Sequence, residues 1–196
     1  MTTTRMLGAA GLALALLAGG RALATGSEGM TGQMDSTRLR DWLDKLHAAN
    51  QFEIQAARVA MERSTDPQVK QFAEHMLNEH QRMDQQGQAL AQQRGLHLKK
   101  ASSAWENAKQ KVELEKLKAR SGADFDRSYA ALMVQDHQSD VKDVTKMRDQ
   151  APDRDPQVKK WLSDTRDRIQ HHLDMAFSTR QAVNERESGT RQGRRP

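Results

Sequence analysis

The chain of 196 residues contains no cysteine. That excludes disulfides, thiolate metal ligands, a thiol nucleophile and a lipid-modified cysteine at a processed N-terminus. Aromatic residues make up only 4% of the chain, too few to interleave with the basic residues as a base-stacking surface, so nucleic acid is not an expected partner. Four prolines leave room for long uninterrupted helices. Alternating runs rich in β-branched residues are missing, and strand signals are absent with them. There is no phosphate-binding glycine loop and no recognisable catalytic motif, so an enzyme using core residues for acid–base work is the least favoured of the readings. Beyond the first residues no apolar segment is long enough to span a membrane.

What is present begins with Arg5, followed by an apolar run from Met6 to Ala18 and then Ala22-Leu23-Ala24. A positive start, a short apolar stretch and an A-x-A site read as a Sec-type signal peptide over residues 1–24, with a retained N-terminal anchor as the alternative. Either places the domain outside the cytoplasm, in the periplasm or associated with the outer membrane. Loss of Arg5 and Arg21 lowers the formal net charge of +5 by two. Acids and bases alternate along the remaining chain, the pattern of a solvated helical surface.

Residues 25–36 are rich in Gly, Thr, Ser and Met and read as a flexible linker. From Thr37 a helical period takes over. The first helix is expected over 37–64, with Leu39, Trp42, Leu43, Leu46, Ala49, Glu53, Ala56 and Ala60 inward. Asp66 caps the second and Pro67 occupies its first position, with Val69, Phe72, Ala73, Met76, His80, Met83, Gly87 and Leu90 inward up to Gly95. Residues 96–121 are too long for a tight turn and read as a crossover with its own helix over 103–119, facing inward through Trp105, Ala108, Val112 and Leu117. A third long helix spans 123–149 and a fourth 156–185, leaving 186–196 as a disordered basic tail. Asp66-Pro67-Gln68-Val69 and Asp155-Pro156-Gln157-Val158 are an internal echo, and both open the second helix of a hairpin. Two similar hairpins, or two similar helix starts chosen for good capping, explain it equally.

Four metal-capable residues fall on the inner rows, one per long helix: Glu53, His80, His137 and His172. His47, His75 and His171 share rows with charged neighbours and are expected in solvent, and His97 lies in the connection. Counting back and forward from each hairpin turn puts Glu53 and His80, and likewise His137 and His172, within roughly 5 Å along the bundle axis. Buried imidazoles and a buried carboxylate are costly unless hydrogen-bonded, paired or metal-bound. Glu79 is the nearest further acid, as an added ligand or an orienting group, and Asp84, Asp136 and Asp140 are neighbouring acids. Met76, Met83 and Met133 read as core, with a mixed His/Met copper site as the sharper option.

The stretches Phe52-Glu53-Ile54, Pro67 through His80, Ser121 through Tyr129 leading to His137, and His172-Leu173-Asp174-Met175-Ala176 resemble the bacterial domain of unknown function 4142 family. Its members are exported and often labelled outer membrane proteins. The resemblance covers about residues 38–183 and implies a ferritin-like fold and export; it implies no settled activity. The family pattern falls on Glu53, Glu79-His80, His137 and His172. A ferritin-like di-iron site needs E-x-x-H on two helices, yet Leu77 and Ile169 stand three residues before His80 and His172. His171-His172-Leu173-Asp174-Met175-Ala176 also resembles a short stretch of another exported ferritin-like family associated with copper.

The expectation is therefore an all-α, ferritin-like up-down four-helix bundle with a crossover connection containing a short extra helix. In its core a single zinc, copper or iron ion is held by Glu53, His80, His137 and His172, with Glu79 in support. The alternative is a structural or envelope-stress protein that meets envelope protein partners through its surface, with the Glu/His cluster serving packing.

Overall fold

The computed structural model describes residues 33–99 and 108–192. The expected signal peptide, most of the linker, the start of the crossover helix and the last four residues lie outside these. The described residues form helices α1 (Ser36–Arg63), α2 (Pro67–Gln93), α3 (Ala108–Lys118), α4 (Gly122–Gln150) and α5 (Pro156–Gln192), with no strand among them.

The capping residues perform as their chemistry demands. Asp35 accepts the Arg38 N–H at 2.9 Å and opens α1. Asp66 accepts the N–H groups of Gln68 and Val69 and opens α2 with Pro67 at its first turn. Gly95 takes φ +64 just after α2, where the left-handed conformation releases the chain from the helix.

Asp155 does more than its counterpart Asp66. It accepts the Val158 N–H at 3.3 Å, the Met34 N–H at 2.8 Å and both terminal nitrogens of Arg94 at 2.7 and 3.0 Å. Burial opposes ionisation of this carboxyl, but Arg94 and the two N–H donors hold it below the usual range. One side chain thus ties the end of α2, the start of α5 and residue Met34 together. Met34, which the sequence assigns to the linker, is buried.

α1 packs on α2 and α4 packs on α5, and the two hairpins meet through α2–α5 and α1–α4. Direction follows from the ion pairs. Arg94 at the end of α2 meets Asp155 before α5, and Arg186 late in α5 meets Asp66 before α2, so α2 and α5 are antiparallel. Lys45 early in α1 meets Asp143 late in α4, so α1 and α4 are antiparallel too. The chain leaving α2 therefore starts α4 at the opposite end, so the connection between them is a crossover. On that path α3 lies against α1 and α4.

Two expectations change here. The last helix does not stop at 185: it runs to Gln192, because Val183 is buried and Arg186 and Glu187 bond to Asp66 and Arg127. On α3 the buried pair is Leu114 and Leu117, one turn apart, whereas Val112 is exposed. Of the inward face read from sequence, Leu117 is inside and Val112 is not.

The core is in two parts. One apolar cluster gathers around Phe52, Phe72, Phe125, Tyr129 and Ala176, and the other around Leu39, Leu43, Leu90, Val144 and Leu162. Going along each long helix, the residues between the two clusters are those carrying His80, His137 and His172. A polar layer is thereby sandwiched between two apolar ones.

Candidate metal centre

His80 from α2, His137 from α4 and His172 from α5 meet in that layer, each at most 2% exposed. A nitrogen of each lies within 4.8 Å of a nitrogen of the other two. Ring centroids are 5.4 Å apart for His80 and His137, 5.0 Å for His80 and His172, and 5.5 Å for His137 and His172. The inward rows of three helices thus bring their imidazoles to one point.

The hydrogen bonds fix which nitrogens face that point. His137 Nδ1 lies 2.9 Å from the Met133 carbonyl one turn back in α4, so Nδ1–H donates there and the Nε2 lone pair is free. His80 Nδ1 lies 3.0 Å from Asn50 Oδ1, and donation there likewise leaves Nε2 as a lone pair. The two Nε2 atoms are 3.3 Å apart. Two lone pairs at that distance repel unless a cation or a proton lies between them. Tetrahedral zinc with Zn–N bonds of about 2.0–2.1 Å would set two such nitrogens roughly 3.3 Å apart. His172 has its Nδ1 buried and without a hydrogen-bond partner.

All three rings are held neutral. Burial, then the neighbouring His137, His172 and His75, drive His80 well below the ordinary histidine value. Burial brings His137 down to about 4 against a small opposing pull from the Met133 carbonyl. Burial, then His137, His75, His171 and Arg168, bring His172 down to about 3. Neutral imidazole is the form that ligates metal, so no proton need be displaced from these rings at neutral pH.

Glu53 is buried as the sequence implies, at 1% exposure, but it does not join the three rings. Its Oε1 lies 3.7 Å from His137 Nδ1, behind the ring and on the side away from His80. Burial first, then Asp136 and Asp140, raise its carboxyl well above the usual range. Burial and Glu53 also raise Tyr129, whose hydroxyl is buried without a partner. Glu79 points elsewhere: it is half-buried and paired with Arg82 one turn on. Met76 and Met133 belong to one apolar cluster and Met83 to the other, so they flank the layer.

Sequence periodicity missed two histidines. His47 is 8% exposed, not solvated, and its Nδ1 is bonded to Asp84, which also accepts from Gln51 and Gln88. The chain after α2 causes this burial: Lys99 N–H donates to Asp44, one turn before His47. His75 is half-buried, its ring 5.8 Å from His172 and 6.3 Å from the exposed His171. A row of rings therefore runs from the surface at His171 through His75 to His172. The adjacency of His171 to His172 was the only sign of this row in the sequence.

No curated protein and no solved structure matches the chain. The pattern of the family described as Domain of unknown function (DUF4142) matches residues 24–179, which contain His80, His137 and His172. The chain belongs to that family, the helical domain of unknown function 4142.

Proposed function

We propose that this is an exported, ferritin-like bundle protein that binds one transition-metal ion through His80, His137 and His172. The observation that carries the reading is the pair of Nε2 atoms 3.3 Å apart, each on a ring whose Nδ1 faces an oxygen acceptor. Three neutral nitrogen donors suit zinc, copper or iron, and leave a coordination position for a small ligand. His172 offers the third nitrogen, within 4.8 Å of the other two. Glu53 and Glu79 stand outside the set. The four long helices and the crossover support the ferritin-like architecture, and the A-x-A segment at Ala24 supports export.

One observation favours a second reading. If the Asn50 amide is turned, its NH2 donates to His80 Nδ1, and His80 Nε2–H then donates to His137 Nε2. That satisfies both rings without an ion and makes the layer a packing device. Elemental analysis of chelator-free protein from a periplasmic extract separates the two. About one equivalent of metal, lost in His137→Ala, is expected. Protein that holds no metal and takes up none of zinc, copper or iron would leave only the packing role.

A further inference from the structure

Where α3 crosses α1 and α4 it closes a cavity of about 150 Å³ lined by Glu53, Gln110, Glu113, Asp136, Ser139 and Asp140. Three helices contribute, and on α4 the residues 136, 139 and 140 share one face at helical spacing. Among the described residues, Lys116 lies 2.9 Å from Glu113, and Lys45 lies 2.7 Å from Asp143 and also acts on Asp140. Glu53 supplies the independent observation. It is 1% exposed, it lines this cavity, and neither of its carboxylate oxygens has a hydrogen-bond partner. A buried carboxylate without a donor is costly until a cation or a proton reaches it.

We propose that this cavity is a second metal site, distinct from the histidine centre, that takes a hard divalent cation through Glu53, Asp136 and Asp140. Gln110 and Ser139 add neutral oxygen donors. Every donor is oxygen, which selects manganese, magnesium or calcium rather than the borderline ions that imidazole prefers. The space holds an ion with several of its waters, the manner in which small hard cations are usually kept. The two sites share a wall. His137 turns Nε2 toward His80 and Nδ1 toward Glu53, so one ring separates them. Without α3 this face of Glu53 would open to solvent, which gives the crossover helix a role beyond connection.

The test is a Mn²⁺ titration of the full chain, with free Mn²⁺ read by electron paramagnetic resonance. Wild type and His80→Ala/His172→Ala are expected to take up about one Mn²⁺ with a Kd of roughly 10–1000 µM. Glu53→Gln/Asp140→Asn is expected to bind roughly tenfold or more weakly while keeping its helical circular dichroism. Zinc-loaded wild type provides a second measurement that needs no variant. There Mn²⁺ is expected to broaden the amide signals of residues 110–113 and 136–140. Three results overturn the site: no uptake by wild type, which means Glu53 carries a proton instead; uptake lost with the histidines; or uptake unchanged in the carboxamide variant. Failure to bind zinc would count against the histidine centre and leave this site standing.

Discussion

Metal-free protein should lose stability in acid through its histidine layer, and His172 is the place to measure it. Its folded-state value is about 3 against an ordinary value of 6.5 in the unfolded chain. Above that ordinary value both states are neutral and the group is indifferent to pH. As pH falls below it the unfolded chain binds a proton that the folded ring refuses, so stability drops until the folded value is reached. At about pH 5 the unfolded histidine is almost fully protonated, and the difference from about pH 7.5 is about 2 kcal/mol for this one ring. Two carboxyls act in the opposite sense. Glu53 is raised and Asp140 is pushed up to about 7, by burial first and by neighbouring acids next. Raised carboxyls add stability at low pH that is lost as pH rises through their folded values. A simple acid melt therefore mixes two signs, and a double difference is needed. Denaturant unfolding of wild type and His172→Gln, both in chelator, at about pH 7.5 and about pH 5 isolates the ring. Wild type should lose about 2 kcal/mol more than the variant over that interval. A double difference under about 0.5 kcal/mol would mean that the folded ring accepts its proton freely, and the buried neutral layer would be refuted.

Two further outcomes follow from the same structure. Asp155→Ala strands Arg94, whose side chain is 9% exposed, and removes the α5 cap and the Met34 anchor together. The expected cost is about 3–5 kcal/mol, or roughly 10 °C in Tm by calorimetry, and a loss within error would show that these bonds carry no weight. His75→Ala/His171→Ala should slow zinc uptake by the metal-free protein roughly tenfold in stopped flow, with the equilibrium Kd unchanged, because the row of rings leads in from the surface. Equal uptake rates would remove the row from the route.

Residue pattern and structure part company at particular side chains. The period of 3.6 separated His80, His137 and His172 correctly as inward, because each is flanked by Ala, Met, Val or Ile at the right spacing. It failed for His47, whose helix row is polar: Asp44, His47 and Asn50 are buried by the chain after α2 and by α2 itself, which periodicity within α1 does not register. It also placed Glu53 inside without saying which interior space it enters.

The sequence by itself determined the helices and their starts, because Asp-Pro caps, Gly95 and the apolar period act locally through backbone hydrogen bonds and side-chain faces. It also determined that three imidazoles would be buried. Only the tertiary structure decided that the two hairpins align at the same height, so that the three rings meet between two apolar clusters. It alone put Glu53 behind His137, in a cavity closed by the crossover helix. The reason is physical: spacing along a helix fixes a residue's face, but the height of one hairpin against another is set by contacts distant in sequence. Arg94–Asp155, Arg186–Asp66 and Lys45–Asp143 are the bonds that mark it.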